Sequence, residues 1–325
     1  MCHVPTAPPY SGHLFVNREN ALNWLAPKIA HWAHGPVSPA YRLFGFRGER
    51  GIGKSWLLQQ LLTEYGSIGV YFDLTLRGRY PTPADFSRAA QAEIGKVSAE
   101  GQCLLILLDG VPPQNDRFLE DLERTILAPQ FHNRNAMIVM CMEHTHRVCW
   151  SDPALRAVEP LGLEPFDHNA TRAQLSRLFP AGLPAGSPSP SDIAAEGQGN
   201  PLLNFLLASR PQEEAFESFI TYCLGRVSPP ARVEMRHLLA AVCTLDALDS
   251  RVEQAIAIYE TYYPGTFARR PNVAWVRNNL FSLGLAHVRP GTSSVFTLTP
   301  AVGHAARRLL EGRNPVLFSE LVRIK

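Results

Sequence analysis

The chain has 325 residues, 46% of them hydrophobic, which is long enough for two or three domains and apolar enough for a sizeable core, and so excludes global disorder. With 31 basic and 29 acidic residues the formal net charge is +2, a balance that neither requires nor excludes nucleic acid. The six cysteines (Cys2, Cys103, Cys141, Cys149, Cys223, Cys243) form no C-x-x-C pair, so neither a metal site nor a disulfide framework is suggested, and the usage fits a reducing cytosol. The N-terminus lacks a basic patch followed by an apolar core, and no apolar run approaches the roughly 20 residues of a spanning helix, so a cytoplasmic protein is expected.

Residues 1–12 are Pro-rich and read as a flexible lead-in. Phe15, Leu22 and Leu25 then fall on one helical face, with Asn17 as the N-cap. Residues 41–46 read as a strand. The next eight, Gly48-Glu49-Arg50-Gly51-Ile52-Gly53-Lys54-Ser55, match G-x-x-x-x-G-K-[ST], and Trp56 continues into an apolar helix to about residue 65. Strand, glycine loop and helix in that order are the context of a phosphate site. The glycines let backbone N–H groups converge on an anion, and the helix adds its positive end. Gly48, Glu49, Arg50, Gly51, Ile52, Gly53, Lys54, Ser55 and Trp56 are therefore candidate nucleotide-binding residues. Lys54 would reach the β- and γ-phosphates, and Ser55 would ligate Mg²⁺. A Gly-rich turn that binds nothing is the alternative.

Residues 70–74 read as a second strand, and Thr82 with Pro83 starts a helix that runs to about residue 100. Residues 103–108 are wholly apolar, as expected of a strand at the centre of a sheet covered on both faces. The run ends in Asp109, where a P-loop enzyme keeps its Mg²⁺-ordering acid; an ordinary Asp-Gly turn is the alternative. Lys54 and Asp109 are the candidate catalytic residues, Ser55 and Asp109 the candidate metal ligands. No acid directly follows Asp109, and the nearest later one is Asp116, which points to slow or partner-dependent hydrolysis. A helix at 118–127 leads to a buried strand, Ala136–Met142, and then to Glu143, His144, Thr145, His146 and Arg147, where such enzymes often keep a phosphate sensor. His144 and His146 lack further ligands and read as a polar strand exit. Alternation of strands and helices to about residue 160 predicts a parallel α/β sheet.

Residues 158–166 read as an extended connector, 168–179 as a helix and 180–191 as a loop. Ser191 is read as the cap of a helix to Ala195, and Pro201 opens the next. Helices follow from about 213, at 233–245, 252–262 and 273–281. Two strands, at 284–288 and 294–298, flank the turn 289–294, and a closing helix spans 300–310. Three helices and a hairpin suggest a winged helix. The expected domains are 13–160 (nucleotide-binding), 161–227 (helical lid) and 228–325 (winged helix).

Together these pieces resemble the STAND branch of the AAA+-like P-loop ATPases, the group with NB-ARC proteins, and the origin-recognition initiators lie nearby. Phe15-Val16-Asn17-Arg18-Glu19 looks like the family's F-x-G-R-E motif, with Asn17 in the glycine's place. GERGIGKS looks like Walker A, residues 105–109 like Walker B, and Gly199-Asn200-Pro201 like the G-x-P motif. The resemblance implies that Phe15 and Arg18 border the adenine, that Pro201 packs on the base, and that ATP or ADP with Mg²⁺ is the ligand. The usual sensor arginine and winged-helix histidine have no clear counterpart; Arg147 is the nearest arginine, and His287 or His304 the nearest histidines.

The first functional expectation is a nucleotide-controlled switch core that acts through a protein partner chain or by self-assembly. The second is a DNA-binding ATPase of initiator type. From residue 228 onward twelve Arg and Lys stand against seven acids, an excess of five that permits phosphate contacts, although the turn at 289–294 carries a single basic residue. A third possibility is ADP held permanently as a structural element.

Overall fold

The computed structural model describes residues 9–35, 42–97, 103–112, 116–133, 135–143, 150–289, 291–292 and 294–324. Tyr41, residues 144–149, most of the lead-in and part of the 289–294 turn lie outside the described residues. The chain forms two compact units: one of Tyr10–Gly48 and Gly53–Glu164, the other holding Glu49–Ile52 and Pro165–Lys325.

The first unit is a parallel α/β sheet of five strands in the order β2-β3-β4-β1-β5: β1 (Leu43–Arg47), β2 (Gly69–Asp73), β3 (Leu104–Asp109), β4 (Ala136–Met142) and β5 (Glu159–Gly162). Helix α1 (Glu19–Ala33) precedes β1, and α2 (Lys54–Tyr65) follows the glycine loop. Between β2 and β3 lies α3 (Pro83–Val97); between β3 and β4 lie α4 (Arg117–Leu122), a π-helical turn (Glu123–Leu127) and α5 (Ala128–Asn133). Every residue of β3 and β4 is buried, as their unbroken apolar runs demand. Leu104, Ile106 and Leu108 share a core with Phe86, Ile94, Leu119, Ile126 and Phe131. Each such buried side chain contributes roughly 1.5–3 kcal/mol.

Four expectations change here. The centre of the sheet is β4, not the 103–108 run, because a wholly apolar pattern marks an interior strand without fixing its place in the order. The connector after residue 158 is the edge strand β5, whose Pro160 is tolerated where one side of the strand is unpaired. Helix α1 starts at Glu19 and continues through Pro27 to Ala33, past the apolar face seen in sequence. Asn17 does not cap it; it sits at φ +52°, a left-handed conformation that Asn adopts more readily than other non-glycine residues. Thr82 does cap α3, its Oγ1 accepting from the Asp85 N–H at 3.2 Å.

The second unit is helical: α6 (His168–Leu178), α7 (Pro190–Gly197), α8 (Pro201–Ser209), α9 (Gln212–Cys223), α10 (Pro229–Val242), α11 (Arg251–Tyr262) and α12 (Val273–Ser282). The antiparallel pair β6 (Ala286–Val288) and β7 (Phe296–Leu298) follows, then α13 (Pro300–Arg313) and α14 (Pro315–Val322). Leu203, Phe216, Phe219, Leu238, Ile256, Leu280, Leu310 and Leu321 belong to one core that crosses the expected 227/228 join. The cap of α7 is Ser189, not Ser191: its hydroxyl accepts from the Asp192 N–H at 3.2 Å, and Asp192 answers as a capping box. Pro229 and Pro230 open α10, four residues before the expected start at 233, since the first turn of a helix does not need the missing N–H. Helix α14, capped by Asn314, is a helix the sequence reading does not contain.

Candidate functional site

The glycine loop joins the end of β1 to the start of α2. Gly51 at φ +79° and Gly53 at φ +98° occupy the left-handed region. Such alternation turns successive N–H groups toward one side, which makes an anion-binding concavity. The N-terminus of the twelve-residue α2, capped by Gly53 without a side-chain acceptor, adds a partial positive charge. At Gly51 no side chain is possible: a Cβ there would lie 2.6 Å from Asn200 Oδ1.

Within the sheet unit the charged residues of the motif come together. Lys54 Nζ donates to the Gly48 carbonyl at 2.7 Å and to Glu143 Oε2 at 3.0 Å. Ser55 is an exposed residue whose hydroxyl hydrogen-bonds to the buried carboxyl of Asp109. The Tyr71 hydroxyl, on β2, donates to Asp109 Oδ2 at 2.8 Å. Burial pushes the Asp109 carboxyl above its usual range; the bonds from Ser55 and Tyr71 oppose this, and Asp73, directly across in β2, reinforces it. Burial, then the Asp109 charge, pushes the Tyr71 phenol up as well. Cys141 on β4 donates its thiol to the Lys54 carbonyl at 3.4 Å, and burial raises that thiol well above its ordinary value. Arg18 is buried, donates to the Glu164 carbonyl at 2.9 Å, and places its Nε 3.9 Å from where a Gly53 Cβ would stand. Desolvation pulls its guanidinium down to about 10. Phe15 is half-buried, and Trp56 packs edge-on against Tyr10 with ring centroids 5.7 Å apart.

Within the helical unit, Asn200 holds Glu49–Ile52. Its Nδ2 donates to the Arg50 carbonyl at 2.7 Å and to Glu49 Oε1 at 3.1 Å, while its Oδ1 caps α8 through the Leu202 and Leu203 N–H groups. The Leu202 N–H donates to the Gly51 carbonyl at 3.3 Å, and Arg50 Nη1 to the Cys223 carbonyl at 2.6 Å. Pro201 stands beside these bonds at the first position of α8.

A serine hydroxyl beside a buried aspartate is a hard-oxygen pair of the kind that holds a hydrated Mg²⁺ with substrate phosphates, and the left-handed Gly53 opens α2 directly before Lys54 and Ser55. The residues present therefore fit a nucleotide phosphate with its metal. Sequence reasoning missed three participants. Tyr71 reads only as part of a strand, Glu143 only as the first of the polar residues where such enzymes often keep a phosphate sensor, and Asn200 only as the middle of a Gly-Asn-Pro motif. The only signals were Tyr71's place one strand from Asp109 and the position of Glu143 directly after an apolar run. Asp116, the nearest later acid, accepts the Phe118 and Leu119 N–H groups at 3.1 Å as the cap of α4. His144, His146 and Arg147 lie outside the described residues.

No protein-family model matches the sequence, and no curated protein matches it. Among solved structures it is similar to the RuvB Holliday junction branch migration motor of Thermotoga maritima, at 13% identity and TM-score 0.45 over 90% of this chain and 95% of that one. It is also similar to the Aeropyrum pernix ORC1 protein in complex with DNA, at 18% identity and TM-score 0.43 over 94% of each chain. A katanin structure concerned with self-assembly aligns at 12% identity and TM-score 0.45 over 68% of this chain and 74% of that one. At such values the likeness carries nothing about activity or partners. No described helix is long and apolar enough to cross a membrane.

Proposed function

We propose that the chain is an ATP- or ADP-binding molecular switch of the STAND class within the AAA+-like P-loop ATPases. Nucleotide with Mg²⁺ would control its conformation or its assembly with a partner chain or with itself, and hydrolysis would be slow or partner-dependent. The observation that carries this reading is the glycine loop, with Gly51 and Gly53 left-handed and α2 opening on Lys54 and Ser55, the latter bonded to the buried Asp109. Lys54, Ser55 and Asp109 are the residues assigned to phosphate and metal, with Arg18 beside the loop. Slow hydrolysis follows from Asp109 being followed by Gly110 and Val111, and from Asp116 serving as a helix cap.

The deciding experiment is the nucleotide content of the purified protein, denatured and separated by ion exchange, beside Lys54→Ala. Stoichiometric ADP or ATP in the wild type alone supports the reading. An empty protein that also takes up no added ATP–Mg²⁺ defeats it. DNA binding by an initiator-type winged helix is the second reading, favoured by the exposed Trp275 and Asn278 on α12, directly before the β6–β7 pair. Salt-sensitive affinity for mixed duplex would support it, and no binding at about 50 mM salt would remove it.

A further inference from the structure

We propose that Glu143 sets the nucleotide preference of the loop by competing with phosphate for the Lys54 ammonium, so that it favours a diphosphate over a triphosphate. The inference rests on the nucleotide reading above. Glu143 is the first residue beyond β4, and its carboxylate lies 3.0 Å from Lys54 Nζ. Glu143 is buried and Lys54 partly so, with side-chain exposures of 7% and 11%. The end of β4 grips this lysine twice, because Cys141, two residues earlier, bonds to the Lys54 carbonyl. The ammonium is also folded back onto its own loop through the Gly48 carbonyl.

A lysine in this motif meets the β- and γ-phosphates of a bound nucleotide. To do so, Lys54 must exchange Glu143 for phosphate oxygens. That exchange draws the Lys54 ammonium away from a buried carboxylate and sets the carboxylate near incoming negative charge, where low dielectric strengthens repulsion. A triphosphate brings more negative charge than a diphosphate and is opposed more. A plain structural ion pair makes the opposite prediction: breaking it loosens the loop and weakens binding.

The test is calorimetric titration of the full chain, stripped of nucleotide, with ADP–Mg²⁺ and ATP–Mg²⁺, comparing wild type, Glu143→Gln and Glu143→Asp. Melting curves establish that each variant is folded. Glu143→Gln is expected to tighten ATP about tenfold or more, the scale of one charge-assisted hydrogen bond, and to tighten ADP less. Glu143→Asp, which keeps the charge on a shorter stem, should fall between, and it carries the test alone if the glutamine variant does not fold. Folded variants with wild-type or weaker affinity for both nucleotides, or with equal gains for the two, would overturn the proposal. A wild type that takes up neither nucleotide at millimolar concentration overturns the phosphate-site reading itself, and the proposal with it.

Discussion

Adjacent strands of the sheet deliver two buried acids to the same end, and the acids are treated differently. Asp109 closes β3 and is met by two neutral hydroxyls, those of Ser55 and Tyr71. Glu143 follows β4 and is met by the ammonium of Lys54. Both residues are almost wholly removed from solvent, at 7% and 5% exposure. Neutral donors satisfy the oxygens of a carboxylate but leave most of its desolvation in place, which is why the Asp109 carboxyl is raised. A cation balances the charge itself. Asp109 thus keeps most of its desolvation cost, whereas Glu143 has the Lys54 ammonium 3.0 Å away.

The sharpest way to break this contrast is to take the cation from Glu143. Lys54→Ala takes from a buried carboxylate the ammonium at 3.0 Å, and should lower the stability of the nucleotide-free protein by up to about 3–5 kcal/mol in chemical denaturation. Adding Glu143→Gln to it should recover most of that loss. Next in size is Asp109→Asn, which removes the buried charge and should stabilise the nucleotide-free protein by on the order of 1 kcal/mol, while Mg²⁺ ceases to strengthen ATP binding. The sign of its pH dependence follows from linkage. Because the folded carboxyl is raised, the folded state holds this proton more tightly than the unfolded state, and stability falls as pH rises from the ordinary value of 3.8 through the raised one. The advantage of Asp109→Asn over wild type should therefore shrink as pH falls through the raised value toward 3.8. The smallest effect belongs to Tyr71→Phe. Loss of one neutral donor should cost about 1 kcal/mol and raise the Asp109 carboxyl further, moving the acid-side stability profile to higher pH.

The parts legible in the sequence are those whose physics is local. The loop was written in its glycines and in Lys54 and Ser55, and β3 and β4 in unbroken apolar runs that only an interior strand can carry. Thr82 and Pro83 announced α3 because capping depends on neighbours three residues apart. Strand order was not local, and β4 displaced β3 from the centre. The edge strand β5 hid behind Pro160 and alternating exposure over four residues. Ser189 and Ser191 are both good caps, and tertiary packing chose the first. The stretch that opens with Glu143 was legible as a sensor position, but its ion pair was not, since the partner is a lysine 89 positions away in sequence.

Cys141 carries a practical consequence of this arrangement. Its thiol is sealed against the Lys54 backbone and kept protonated by burial, and only a thiolate alkylates quickly. Modification of this cysteine must therefore wait for the junction of β4 and α2 to breathe, while the half-exposed Cys103 reacts on its own schedule. Mass-spectrometric alkylation kinetics at Cys141 thus become a built-in clock for opening of the loop helix, readable without any attached label.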